Sequence, residues 1–263
     1  MNMSKRKKFN IITTRIKKSA EPAQIKQIKG WVLKNKKNKD FSKNDILVLP
    51  EQSFKVCTNA QAFAKNIGMN TICGVAPYNI EGKEYNAALC INANGTIEAK
   101  ARKSKLWNSE KKFFDKPDKF EGIVEAFGEK FLISTCYDIC EIYNGRNGVM
   151  INKYKDEILK EKGNITAVVS SSNWTFDFWK LKGFIKKLTV ELDAYAGVIS
   201  SKSAKSKSGI YTWNNADAGA ISTRIINFPK PLKEIKCAKF NRNNDYLGNE
   251  IEITECPSYA YVK

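Results

Sequence analysis

Three short stretches place reactive side chains at the end of a strand signal. Leu47-Val48-Leu49-Pro50-Glu51 ends in a carboxylate, Ala101-Arg102-Lys103 in two cations, and Phe131-Leu132-Ile133-Ser134-Thr135-Cys136 in a thiol. Singly, each has an ordinary explanation: a solvated strand-end acid, a basic sheet edge, a small core residue. Together they form a chemical set. A cysteine attacks as its thiolate, whose unperturbed pKa is about 8.5, so it needs a base and a cation nearby. The chain contains no histidine, which leaves a carboxylate for the base and Lys or Arg for the cation. Glu51, Lys103 and Cys136 meeting at one sheet edge would supply base, electrophilic stabiliser and nucleophile.

The same composition excludes other chemistries. Without histidine there is no Ser-His-Asp or Cys-His catalyst, and without a C-x-x-C pair a zinc site is not expected. The seven scattered cysteines are odd in number, and the pattern reads as reduced thiols in a cytoplasmic protein. The longest uncharged stretch, Asn66–Ile80, is 15 residues rich in Asn and Gly, short of the roughly 20 apolar residues a membrane span requires. Lys5-Arg6-Lys7-Lys8 imitates the start of an export signal, but Arg15 interrupts the apolar run behind it. The net charge is +18, and residues 1–43 alone hold 14 Lys/Arg against 2 Asp/Glu. The remainder is only mildly basic.

The elements that must carry these residues follow from periodicity. Strands are expected at Phe9–Thr14, Ile46–Leu49, Thr71–Ala76, Glu84–Ile91, Thr96–Lys100, Phe131–Thr135, Ala167–Ser170, Gly197–Ser201 and Ala220–Phe228. Helices are expected at Glu21–Lys34, Ala60–Met69, Gly148–Glu161 and Phe178–Tyr195. Asn94-Gly95 signals a type I′ hairpin, and Gly128-Glu129-Lys130 another turn. Strand–helix alternation mixed with hairpins fits an α/β fold with helices covering the sheets. The chain reads as a single domain over 1–263, with a basic segment at about 1–8 and a mixed C-terminal tail from about 236, where Ile251–Glu255 is a possible strand.

In that frame the three stretches resemble the nitrilase (carbon–nitrogen hydrolase) superfamily. Leu49-Pro50-Glu51 is similar to its strand ending in Pro-Glu. Arg102-Lys103-Ser104-Lys105-Leu106-Trp107, followed by Glu110, is similar to its second motif, with Lys105 where His is usual. Cys136-Tyr137-Asp138 is similar to its third. Gly68–Gly74, Tyr85-Asn86-Ala87 and Ser172-Asn173-Trp174 resemble the framing segments, so the likeness runs over roughly residues 9–228. The run usual after Cys-Tyr-Asp is replaced by Ile139-Cys140-Glu141-Ile142-Tyr143.

The resemblance implies a four-layer α-β-β-α sandwich of two mixed β-sheets covered by helices, and a homodimer pairing around the helix after Cys136. It implies hydrolysis of an amide, carbamoyl or nitrile small molecule through a Cys acyl-enzyme, with no cofactor and no metal. Glu51 would be the general base, Cys136 the nucleophile, Lys103 and the Tyr137 backbone N–H the oxyanion donors, and Glu110 the second glutamate. Asn173 and Trp174 would line the substrate pocket. Two other readings compete with this one. One takes the basic N-terminal region as the mark of a nucleic-acid-binding protein, although a solvated lysine-rich helix face explains that charge more simply. A catalytically silent scaffold of the same fold is the other, and the presence of all four catalytic-type residues gives it no support.

Overall fold

The computed structural model describes residues 9–16, 21–38, 41–139, 152–173, 178–194 and 196–201, and the strand segments 143–144, 149–150, 209–212, 221–222, 226–227, 234–240 and 251–252. Chain order begins β1 (Phe9–Arg15), α1 (Glu21–Lys37), β2 (Ile46–Val48), α2 (Cys57–Ile67), β3 (Asn70–Ile80), β4 (Lys83–Ile91) and β5 (Ile97–Arg102). A long excursion leads to β6 (Ile123–Ala126) and β7 (Glu129–Thr135). Next come the short pair β8 (Tyr143–Asn144) and β9 (Val149–Met150), then α3 (Asn152–Leu159), β10 (Ala167–Ser172), α4 (Phe178–Glu191) and β11 (Ala196–Ser201). The last segments are β12 (Gly209–Thr212), β13 (Ile221–Ser222), β14 (Ile226–Asn227), β15 (Glu234–Phe240) and β16 (Ile251–Glu252).

Period-two alternation sorts these strands into layers. Ile11, Ile46, Val48, Ile72, Ala88 and Cys90 face one way and meet Phe131, Ile133, Val169 and Val198 in a shared core between two sheets. Their neighbours Ile12, Leu47, Cys73 and Leu89 face the other way and pack under Ile28 and Val32 of α1 and Phe63 and Ile67 of α2. On the far side, Leu132, Val168 and Ile199 pack under Ile158 of α3 and Leu181, Ile185 and Leu188 of α4. The order is therefore helices, sheet, sheet, helices, as expected. The two mixed sheets, β5-β4-β3-β2-β1 and β11-β10-β7-β6, join at the β1–β11 edge through the single register pair Arg15↔Ser201. Among the described residues no helix is long and apolar enough to cross a membrane.

Several boundaries differ from expectation for local reasons. The type I′ hairpin lies at Phe127-Gly128, both with positive φ (60° and 77°), joining β7 to β6, a strand the periodicity did not reveal. At Asn94-Gly95 only Gly95 has positive φ, at 86°. There Asn92 Oδ1 accepts the N–H groups of Asn94 and Thr96, an Asx arrangement that a type I′ turn does not use. Helix α2 starts at Cys57 rather than Ala60, and α3 covers only Asn152–Leu159 of the stretch 148–161. Gly68 ends α2 at φ 58°, while Lys36 Nζ of α1 donates to the carbonyls of Ile67 (3.0 Å) and Gly68 (2.7 Å). One α1 lysine is thus a helix cap, satisfying orphan carbonyls. The C-terminal stretch contains a full strand, β15, which runs antiparallel along all of β1 from Phe9↔Phe240 to Arg15↔Glu234.

Candidate active site

The site lies where strands from both sheets end. Ala88 and Ala101 face the inter-sheet core, and two residues along each strand alternation returns to the same face at Asn86 and Lys103. The ladder between β4 and β5 continues one step past Arg102, with Lys103 N–H donating to Asn86 O at 2.8 Å. Asn86 and Lys103 are therefore neighbours across the strand pair.

Glu51 is delivered by a tight turn after β2. Leu49 N–H donates to Ile72 O (2.8 Å), Gly74 N–H to Pro50 O (3.2 Å), and Ser53 Oγ to Pro50 O (2.6 Å). Gln52 follows in the left-handed region at φ 53°. The turn sits so close to β3 that a Cβ on Gly74 would fall 2.3 Å from Gln52 N and 2.5 Å from Glu51 Cα. From the second sheet, Ser171 Oγ reaches Leu49 O at 3.1 Å.

Glu110 comes from the excursion between β5 and β6, which is pinned at several points. Asp115 N–H donates to Glu84 O at 2.6 Å, and Asp115 Oδ2 accepts Glu84 N–H at 3.0 Å. At its base the Arg102 guanidinium grips both oxygens of Glu121 and stacks 4.5 Å over the Tyr85 ring. Burial opposes the charge on Glu121, yet the Arg102 hydrogen bonds hold its carboxyl below the usual range. Glu110 itself is oriented by the N–H of Trp107, 2.7 Å from Oε2.

The polar centre is compact. Lys103 Nζ donates to Glu51 Oε1 at 2.7 Å and to both oxygens of Glu110 at 2.9 Å. Asn86 Nδ2 donates to the same two Oε1 atoms, at 2.7 Å for Glu51 and 2.9 Å for Glu110. Glu51 Oε2 accepts the backbone N–H of Asn173 at 2.9 Å. Lys103 is 2% exposed and Glu51 1%, so these are charge-assisted bonds in a poorly screened setting. Burial alone would lower the Lys103 pKa; Glu51, Cys136 and Glu110 around it raise it instead, so it is an ammonium at any working pH.

Cys136 opens a short 3-10 turn after β7 at φ 51°. A non-glycine residue in this region stores about 1 kcal/mol or more. Burial pushes the thiol well above its ordinary pKa and the nearby Glu51 carboxylate adds to this, while Lys103 and the Asn173 N–H oppose it. The resting sulfur is thus a protonated thiol hydrogen-bonded to Glu51. Asp138 closes the elbow, taking N–H bonds from Lys105 at 2.7 Å and Thr135 at 3.3 Å. Burial pushes its carboxyl up to about 7 against Lys103 and those N–H donors.

The structure therefore brings Glu51, Lys103, Glu110 and Cys136 together. Asn173 also arrives, though its recorded bond to Glu51 is made by its backbone. Of Tyr137 the backbone of the 3-10 turn is described, and Trp174 lies outside the described residues, as does Cys140. Two residues that sequence reasoning gave no role complete the cluster, Asn86 and Asp138. The advance signals were their places in two segments that the resemblance singled out, Tyr85-Asn86-Ala87 and Cys136-Tyr137-Asp138.

With this geometry in view, the comparisons with known proteins are direct. Residues 28–148 match the carbon–nitrogen hydrolase family model, a stretch that includes Glu51, Lys103, Glu110 and Cys136. That stretch, under half of the chain, is similar to the carbon–nitrogen hydrolase family. None of the curated proteins matches it by sequence. Among solved structures it is similar to a glutamine-dependent NAD+ synthetase from Acinetobacter baumannii, with TM-score 0.63 and 16% identity over 98% of this chain. The chain spans about half (49%) of the length of that synthetase. It is also similar to an amidase from Nesterenkonia sp., with TM-score 0.60 and 11% identity over 91% of each chain. A variant of that amidase carries the acetamide moiety of fluoroacetamide on its active-site cysteine; it superposes with TM-score 0.62 and 10% identity, over 90% of this chain and 91% of that one. At these identities the likeness defines the fold.

Proposed function

We propose that the chain hydrolyses a small amide through a thioester on Cys136. The observation carrying this reading is the buried contact of one ammonium with two carboxylates beside a protonated thiol on a strained turn. Glu51 takes the Cys136 proton as the sulfur attacks the carbonyl carbon. The resulting oxyanion is met by the Lys103 ammonium and the Tyr137 backbone N–H, a pair of donors each worth about 10²–10³ in rate. On collapse the C–N bond breaks and Glu51 passes its proton to the departing nitrogen. Water then attacks the thioester, giving a proton to Glu51, which returns it to the sulfur as the acid leaves. Glu110 and Asn173 hold Glu51 and Lys103 in place throughout. Carbamoyl compounds present the same carbonyl carbon; a nitrile would give a thioimidate, to which water adds before ammonia leaves, and both belong to the same assay panel.

Incubation of the full chain with fluoroacetamide or iodoacetamide, followed by peptide mapping, tests the proposal. Adducts should concentrate on Cys136, and ammonia release from an amide panel should vanish in Cys136→Ala. Labelling spread evenly over the seven cysteines, or ammonia release that survives the substitution, overturns it. The likeness of 98% of this chain to half of a glutamine-dependent enzyme favours one further reading, that the amide is the side chain of L-glutamine. Glutamate appearing from glutamine at a rate above that from acetamide supports it; the reverse order rejects it. Self-association around the segment after Cys136 belongs to the same proposal, and the mass in solution by light scattering decides it.

A further inference from the structure

Asn86 has a place in this cluster that the hydrolytic scheme leaves without a role. It is fully buried, and both hydrogens of its side-chain amide are committed, one to Glu51 Oε1 and one to Glu110 Oε1. Lys103 bridges the same two oxygens from its own side. The carboxylates carry two negative charges and the ammonium one positive charge, so the trio is short of one positive charge. Ionised carboxylates only accept hydrogen bonds, which fixes the amide with its nitrogen towards them. Its oxygen is left buried with no partner among the described residues. A buried unpartnered carbonyl is unfavourable, so satisfying the carboxylates has outweighed satisfying the amide.

We infer that Asn86 is a positioning residue that keeps the Glu51 and Glu110 carboxylates side by side in their ionised form. A second neutral donor does what a second cation would do, without neutralising the base. Titratable groups facing the cluster among the described residues are Lys103 from the end of β5, Glu110 from the excursion after it, Cys136 from the β7 elbow, and Asp138 behind Lys103. Losing the two amide bonds makes protonation of the carboxylate pair easier. The acid side of any step in which Glu51 acts as base then moves to higher pH.

This inference rests on Glu51 and Cys136 being base and nucleophile, and the experiment separates the two claims. The probe is iodoacetamide, whose charge does not change with pH, and the readout is the rate of Cys136 alkylation in the full chain from pH 5 to 9. In the unaltered chain Cys136 should react faster than the fully buried Cys73 and Cys90; if it does not, the site reading fails and takes this inference with it. Given that result, Asn86→Leu should raise the midpoint of the rate profile by about one pH unit. The rate below the midpoint then falls about tenfold. Asn86→Asp keeps the volume and, protonated, offers one O–H in place of two N–H groups, so a smaller shift in the same direction is expected. Folded variants with an unmoved midpoint overturn the inference, including the case where the rate drops uniformly. If neither variant folds, the side-chain amide protons of Asn86 are followed by NMR in the unaltered chain. Both should exchange slowly and shift together across the same midpoint; fast exchange or no shift overturns the inference.

Discussion

Replacing Lys103 by methionine isolates the electrostatic core of the site. The side chain keeps nearly its volume but loses an ammonium that meets three carboxylate oxygens at 2.7 and 2.9 Å while 2% exposed. Removing one partner of a buried ion pair costs about 3–5 kcal/mol, because the remaining charge stays desolvated. Here two carboxylates are left facing each other, with Asn86 as their common donor. In the unaltered chain the raised Lys103 pKa contributes stability that is fully present below about pH 10.4, the unfolded lysine value, and is lost only above it. The deficit of Lys103→Met should thus be about 3–5 kcal/mol near neutral pH. Urea unfolding of both chains measures it, and Lys103→Met/Glu110→Gln, which removes one of the two facing carboxylates, should recover at least half. A deficit under about 1 kcal/mol, or a double variant weaker than the single, refutes the reasoning.

Three other outcomes follow from the same geometry. Gly74→Ala forces a Cβ against the backbone of Glu51 and Gln52, so Cys136 alkylation should slow by about 10²-fold and the melting temperature should drop; unchanged labelling would show that the turn moves freely. Cys136→Gly relieves a left-handed φ of 51° and should leave the protein about as stable or up to about 1 kcal/mol more so, with no hydrolysis, as read by thermal unfolding beside the amide assay. Asp138 is held up to about 7 by burial, so the folded state takes up a proton that the unfolded chain releases near pH 4. Stability contributed by this group falls as pH rises from about 4 to 7. Asp138→Asn should flatten that fall, and parallel unfolding curves for the two chains across the range would contradict it.

How much of this was legible in the chain can be judged residue by residue. Apolar alternation in Ile46–Leu49 and Phe131–Thr135 is a local property, and those strands formed where expected. β6 escaped because four residues with one charge, Ile123–Ala126, give too little periodicity, and its partner β7 is what holds it. β15 escaped for a similar reason: its Lys and Glu interruptions weaken the pattern, and pairing along β1 supplies what the pattern lacks. Hairpin geometry was misread at Asn94-Gly95 because the side chain of Asn92 competes for the turn's N–H groups.

The sequence by itself determined which chemistry was open: with no histidine, a nucleophilic thiol would need a carboxylate for its base and Lys or Arg for its cation. It also determined where those residues stand along the chain: Glu51 and Cys136 follow apolar runs, and Lys103 follows the alternating strand after Asn94-Gly95. Only the tertiary structure decided that Glu51 and Lys103, 52 residues apart, come within 2.7 Å, and that Asn86 and the Asn173 backbone share the same carboxylate. The physical reason is that strand identity depends on near neighbours, whereas convergence depends on register and on two sheets closing over one core. Contacts of that kind are written in no single stretch of residues.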